Sequence, residues 1–278
     1  MTDPDFKKSV MDANIAYHTA TAATYETEQP HYLPENRALV SSRIADLAQK
    51  VGNETLVDLG CGAGFVLDLA VPFFQRLYGV DITPAMLSRV DLSSGKIVLH
   101  QASTESVPLN DQTANMVTAN SYLHHLYEIR PTISEAYRLL KPGGVFYSEE
   151  DPNVDYWDAL KSLEPSAKEA YSGIVRRELT AVLDTHTVIE QDKGIDPKIV
   201  QMAEYQKMMV GGMREKELNT MLHEVGFSKV NIEYYWYMGQ GIVMHQTDLH
   251  APDIEAYLQM VLPFSKHLFK YLRIMAWK

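Results

Sequence analysis

Cysteine is nearly absent from this chain of 278 residues: Cys61 is the only one. A single thiol excludes an internal disulfide and any zinc site built on several cysteines. No apolar run reaches the ~18 residues that a membrane-spanning helix needs. The first residues, Met1 to Lys8, carry charge with no apolar stretch behind them, so no secretion signal is read there and a cytoplasmic location is expected. Basic residues are in deficit. The 25 Lys and Arg against 36 Asp and Glu leave a net charge of -11, which repels a phosphate backbone and argues against nucleic acid as the main partner. Internal repeats and low-complexity segments are also lacking. The hydrophobic fraction of 46% is enough to pack one large domain, with or without an insertion.

The most informative stretch is Val57-Asp58-Leu59-Gly60-Cys61-Gly62-Ala63-Gly64-Phe65. An apolar run enters a turn with three alternate glycines and a second apolar run leaves it: a buried strand, a tight turn and a helix start. Glycine serves where backbone bends sharply or a ligand approaches closely. After the next apolar run, Leu77 to Val80, comes Asp81, about 20 residues downstream, where such folds hold a ribose diol. The spacing is G-x-G-x-G rather than the G-x-G-x-x-G that cradles a pyrophosphate. Asp58 beside the loop would repel phosphate and suit a ligand bearing an ammonium group.

Along the chain, helical and strand-like spacing alternate. Leu39, Val40, Ile44, Leu47 and Ala48 predict an amphipathic helix over 36–50, stopped by Gly52. Strands are expected at 55–59, 77–80, 96–100, 116–119 and 145–148, with helices between them and a turn at Pro142-Gly143-Gly144. This order means a parallel sheet covered on both faces. The first 30 residues read as polar and alanine-rich, with Thr19 to Ala23 weakly structured by propensity. Apolar spacing predicts two helices within 155–213, and methionines gather there at Met202, Met208, Met209 and Met213. Strands six and seven are placed at Lys229 to Tyr237 and Gly241 to His245. The tail from Ile254 reads as a helix with intervening bases, more in keeping with packing on its own domain than with membrane contact.

The glycine loop, Asp81, the Leu123-His124-His125-Leu126 phrase and the run Arg138-Leu139-Leu140-Lys141-Pro142-Gly143-Gly144 together resemble the class I S-adenosylmethionine-dependent methyltransferases, in particular the ubiquinone-biosynthesis-type small-molecule subgroup. The likeness covers about 36–150 and extends through Glu217 to Phe227. It implies an α/β fold, a doubly wound, mostly parallel seven-stranded sheet of the Rossmann-like methyltransferase type, with a helical insertion after strand five. The expected organisation is an N-terminal cap segment at 1–35, a cofactor-binding core at 36–154, the insertion at 155–213 acting as a lid, and completion of the sheet with a C-terminal helix at 214–278. The implied cofactor is S-adenosyl-L-methionine, with S-adenosylhomocysteine as product. Its expected contacts are Tyr25, Asp58, Gly60, Cys61, Gly62, Asp81, Ile82, Met86, Ser103, Thr104 and Asn120. Two positions depart from the family pattern. Ser103 stands where an aspartate often receives the adenine amino group, and Asn115 replaces the aspartate that usually opens strand four.

Methyl transfer from a sulfonium is an in-line displacement that needs alignment and exclusion of water. A base is required only if the acceptor must lose a proton. His125, His124 and Tyr17 are the candidates for catalytic contact; His124 reads more readily as packing or capping, and His125 equally as a base or as structural. Glu149, Glu150 and Asp151 could orient an amine acceptor or act as a base, but read more readily as a solvated loop. No metal site is expected, because no acid accompanies Asn115 and Asn120 near strand four. The expected partner is a small-molecule methyl acceptor, partly apolar given the methionine-rich insertion, with O- or C-methylation favoured; a homodimer is left open. Two other readings stay open: the same fold using the bound cofactor in a cyclisation or decarboxylation, and a catalytically silent cofactor-binding subunit.

Overall fold

The computed structural model describes residues 3–183 and 194–278. Seven strands form one sheet: β1 Thr55–Leu59, β2 Arg76–Asp81, β3 Ile97–Gln101, β4 Ala114–Asn120, β5 Leu140–Pro152, β6 Lys229–Tyr237 and β7 Phe269–Trp277. Their order is β3-β2-β1-β4-β5-β7-β6. The five N-terminal strands pair in parallel, and β7 is antiparallel to both β5 and β6. The order reverses direction at β1, so the carboxyl ends of β1 and β4 flank the crevice where ligands bind in open α/β sheets.

Alternation along the strands divides the core between the two faces. Val57, Leu59, Val117, Ala119 and Phe146 pack with Ile133, Ala136 and Leu139 of helix Arg130–Leu139 and with Leu218 and Leu222 of helix Glu215–Val225. Leu56, Leu77, Met116 and Val145 pack on the other face with Val40, Ile44 and Leu47 of helix Pro34–Val51 and with helix Phe65–Ala70. Asn115 braces this layer: its Nδ2 donates to Val51 O, while its Oδ1 accepts from Thr55 N and Lys141 Nζ.

Four expectations are corrected by the structure. Thr19 to Thr21 are not weakly structured; they end Pro4–Thr21, an 18-residue helix with Asp3 as N-cap accepting from Asp5 N and Phe6 N and Pro4 in the first turn. Pro142-Gly143-Gly144 lies within β5 rather than in a separate turn. The β4–β5 register shifts there, from Ala114↔Leu140 to Met116↔Val145. Gly241 to His245 is not a strand but part of helix Gln240–Gln246, whose Val243 packs with Tyr237, Ala251 and Phe269.

The tail is not one helix. Ala251–Met260 is helical, but the seventh strand is Phe269–Trp277, inserted between β5 and β6. Both faces of β7 are covered: Leu272, Ile274 and Ala276 enter one core layer, while Met275 and Trp277 pack on the other. A strand buried on both sides lacks clean alternation and cannot be told from a buried helix by periodicity. Its bases serve the interior instead of a membrane. Arg273 is 7% exposed and donates through Nε to Glu149, and Lys270 Nζ lies 3.4 Å from Glu178.

The expected insertion is helical where it is described, with Val154–Lys161, Gly173–Leu183 and Pro197–Ala203 lying between β5 and helix Glu215–Val225. Residues 184–193 of the expected lid lie outside the described residues. Among the described residues no helix is long and apolar enough to cross a membrane.

Candidate functional site

A cavity of about 290 Å³ opens at the carboxyl ends of β1, β2 and β4. Gly60, Cys61 and Gly62 of the first turn line it. Gly60 has φ +71, and a Cβ there would lie 2.0 Å from the Tyr122 ring; Gly62 has φ +51. A larger residue would be strained at both positions and would clash at the first, which is the local reason for the glycines. Asp81, at the end of β2, fixes the loop: its Oδ2 accepts from Gly62 N at 2.9 Å and its Oδ1 from Thr83 N at 2.8 Å. A carboxylate has about four lone-pair positions, so capacity remains for two ligand hydroxyls.

Asp58 and Asn120 supply the other polar end. Asp58 is 2% exposed and accepts from Thr118 Oγ1 at 2.6 Å. Burial, with the Asp81 charge adding to it against the Thr118 hydrogen bond, raises its pKa to about 7. Asn120 lines the same cavity, and its Oδ1 is buried with no hydrogen-bond partner. A buried acceptor without a donor is costly. Beside a buried carboxyl it marks the place where a ligand N–H group belongs.

A second cavity, of about 390 Å³, adjoins the first. His18, Tyr25, His31, Ser121 and His125 line both. Helix Pro4–Thr21 is held against the loop after β4 by Asn14, whose Nδ2 donates to His125 O at 3.0 Å. Three non-glycine residues with positive φ line this second space: Ser121 at 49°, Glu150 at 66° and Trp236 at 59°. Backbone strain of this kind collects at functional sites. Glu150 lies in a bulge of β5, where pairing with β7 moves from Ser148↔Ile274 to Asp151↔Leu272.

The bulge also overturns the solvated-loop reading of Glu149, Glu150 and Asp151. Glu149 is 1% exposed and accepts from Arg43 and from Arg273, each at 2.9 Å. Asp151 Oδ1 accepts from the His124 backbone N and faces His124 Nδ1 at 3.0 Å. Burial, reinforced by Glu149 and Asp151, pushes Glu150 up to about 8, while burial lowers His31, 3.7 Å from it, to about 4. Near neutrality that contact therefore joins two uncharged groups.

Of the cofactor contacts expected from sequence, Tyr25, Asp58, Gly60, Cys61, Gly62, Asp81, Ile82, Met86, Ser103 and Asn120 all line the first cavity. Thr104 does not: it is 1% exposed and its hydroxyl is shared with Tyr122 and Thr132. Tyr17 lines the second cavity alone, as does His124. His125 lies at the junction, with Nδ1 2.6 Å from Ala203 O, and burial holds it well below 6.5. It is a neutral imidazole there. Sequence reasoning missed Asn14, Glu204 and Lys207, whereas His18, placed with Tyr17 and Tyr25 in the N-terminal segment by the family resemblance, lines both cavities. The Asp3-Pro4 cap signal could have revealed the helix that carries Asn14; Glu204 lies some 80 residues from the histidines it meets, and Lys207 comes with it as its ion-pair partner. The methionines of the insertion line neither cavity, so they lend no support to an apolar acceptor.

Comparison with known proteins bears on this geometry. Residues 57–148 match the family model of a methyltransferase domain. This segment is a class I S-adenosylmethionine-dependent methyltransferase domain. A probable S-adenosylmethionine-dependent methyltransferase of Mycolicibacterium smegmatis is 28% identical over 100 residues, 36% of this chain and 39% of that protein. A demethylmenaquinone methyltransferase of Symbiobacterium thermophilum is 37% identical over 100 residues, 33% of this chain and 40% of that protein. The chain thus spans about two fifths of the length of these curated relatives. A solved S-adenosylmethionine-dependent methyltransferase from Mesorhizobium loti shares the fold, with a TM-score of 0.55 over 91% of this chain and 100% of its own, at 14% identity.

The first cavity of the domain fits S-adenosylmethionine. The unpartnered Asn120 Oδ1 and the Asp58 carboxyl suit the methionine ammonium, Asp81 the ribose, and Met86 and Ile82 an apolar base edge. Ser103 lines this cavity beside them and offers a hydroxyl where the family pattern has an acid.

Proposed function

We propose that this chain is an S-adenosylmethionine-dependent methyltransferase acting on a small organic acceptor held in the second cavity, at an oxygen or carbon nucleophile. One observation carries the reading: two cavities meet at His18, Tyr25, His31, Ser121 and His125, and the first of them ends in a buried carboxyl and an unpartnered amide oxygen. When bound, the cofactor supplies a methyl group already activated by its sulfonium. The protein's part is to orient and to exclude water. Helix Pro4–Thr21 closes one side of both cavities, and Tyr25 and His31 follow it into their shared wall. The insertion contributes Arg177, Glu178, Glu204 and Lys207 to the wall of the second cavity, which supports its role as a cover.

That wall, rather than the methionine content, supports a reading of the acceptor class. Tyr17, Tyr235, Trp236 and Tyr271 offer ring surfaces among charged side chains. The acceptor therefore combines a flat or apolar part with at least one polar oxygen or amine. The likeness to a demethylmenaquinone methyltransferase supports a ring-bearing acceptor and the ubiquinone-type subgroup.

The test begins with calorimetry of S-adenosylmethionine and S-adenosylhomocysteine, followed by a panel of phenols, enols and quinols assayed for S-adenosylhomocysteine release and a mass gain of one methyl group. Binding with turnover on one acceptor class supports the proposal. Failure of a folded protein to bind either compound overturns it. Binding with product formed but no S-adenosylhomocysteine released would transfer the case to a non-methylating reaction.

A further inference from the structure

His124 and His125, on the turn after β4, meet Glu204, at the end of helix Pro197–Ala203. One ligand atom from each lies within 4.8 Å of the other two. The partners of the other ring nitrogens decide the tautomers. His124 Nδ1 faces the Asp151 carboxylate at 3.0 Å, and Asp151 already accepts from the His124 backbone N and from Ser148 Oγ. His125 Nδ1 is 2.6 Å from the Ala203 carbonyl, which can only accept. Both Nδ1 atoms therefore act as donors, which leaves Nε2 of each ring as the nitrogen free to face an ion.

His124 Nε2 faces Glu204 Oε2 at 3.8 Å. Ring N–H groups anchored on a carboxylate and on a backbone carbonyl are also how metal-binding histidines are oriented.

We propose that His124 Nε2, His125 Nε2 and Glu204 bind a divalent first-row transition ion of the zinc class at the floor of the second cavity. Two imidazoles and one carboxylate are a donor set for such an ion and a poor one for magnesium or calcium. Three atoms each about 2.1 Å from one ion sit about 3.4 Å apart in tetrahedral geometry. Side-chain rotations of about an ångström would close the present arrangement to that spacing.

Lys207 Nζ now stands 2.7 Å from Glu204 Oε2 and 5.7 Å from the Trp157 ring centre. The ion would take the carboxylate oxygen and leave the ammonium over the ring. With three protein ligands a fourth position faces the cavity. On the methyl-transfer reading that position accepts an acceptor oxygen, which narrows the substrate class to hydroxyl- or carboxyl-bearing compounds. Metal binding itself stands independently of that reading.

The experiment titrates tag-free, chelator-treated full chain with cobalt(II) and follows the visible d–d absorption. The expected result is saturation at one equivalent, displacement by zinc, and loss of the bands in Glu204→Gln and in His124→Ala. Near-ultraviolet circular dichroism and S-adenosylhomocysteine calorimetry show whether each variant keeps its fold and first cavity. Absence of the bands in folded wild type overturns the site, as does an unchanged spectrum in both variants when folded. Should a variant fail to fold, the wild-type stoichiometry together with the other variant decides. S-adenosylhomocysteine binding without cobalt binding would refute the metal site alone, and the converse would refute the methyltransferase reading alone.

Discussion

Asp58 offers a sharp check on how the first cavity receives its ligand. Its pKa is about 7 in the folded protein against 3.8 for the ordinary side chain, chiefly because it is buried. If the methionine ammonium of the cofactor pairs with the ionised form, binding must expel a proton wherever Asp58 is still protonated. At about pH 6 roughly one-tenth of the carboxyl is ionised, so affinity should be about tenfold weaker than at its plateau, or about 1.4 kcal/mol. The assay is calorimetry with S-adenosylhomocysteine from about pH 5.5 to 7.5, repeated in buffers of different ionisation enthalpy to count protons. Affinity should rise with pH, with close to one proton released at the acid end, and Asp58→Asn should bind weakly with a flat profile. Flat binding in wild type, or proton uptake, would refute the pairing.

The same shift has a stability consequence of opposite sign. The folded protein holds this proton more tightly than the unfolded chain, so the unfolded chain binds fewer protons between the two pKa values. The contribution is most favourable below the unfolded value and declines as pH rises to about 7, by up to about 1.4 kcal/mol per pH unit. Cofactor binding relieves that penalty.

Other perturbations have defined outcomes. Gly60→Ala places a methyl against the Tyr122 ring at a backbone angle of φ +71; loss of measurable cofactor binding and destabilisation of about 1–3 kcal/mol are expected by calorimetry and urea unfolding. Arg273→Met removes one of two guanidinium partners of the buried Glu149; equilibrium unfolding should show a loss of about 3 kcal/mol, and a change below 1 would mean that Arg43 suffices. Asn14→Ala deletes the bond to His125 O; global stability should fall by about 1 kcal/mol, and hydrogen exchange should quicken in Pro4–Thr21 more than in the sheet.

Legibility from sequence tracked the range of the interaction. The glycine loop, Asp58 and Asp81 belong to one strand-turn-helix-strand unit, and local pattern was enough to place all of them at the cavity. Helix 36–50 and β6 were legible for the same reason, each having one buried face and a clear stop. Helix Pro4–Thr21 was missed because its composition is polar, although its cap was written in Asp3-Pro4. The final strand was misread because burial on both faces erases alternation. Glu149 to Asp151 looked like a charged loop because a run of acids does not show that Arg43, Arg273 and His124 will surround it.

By itself, then, the chain determined a parallel α/β core, its ligand-binding crevice and the acidic positions that make it suit an ammonium- and ribose-bearing molecule, since each rests on residues within a few tens of positions of one another. Only the tertiary structure decided that β7 enters the sheet between β5 and β6 and that helix Pro4–Thr21 walls the cavities. It alone brought Glu204 to the two histidines. Those contacts join segments from roughly 30 residues apart, for β6 with β7, to roughly 130, for β5 with β7; they are set by how whole layers pack, and no local spacing encodes them.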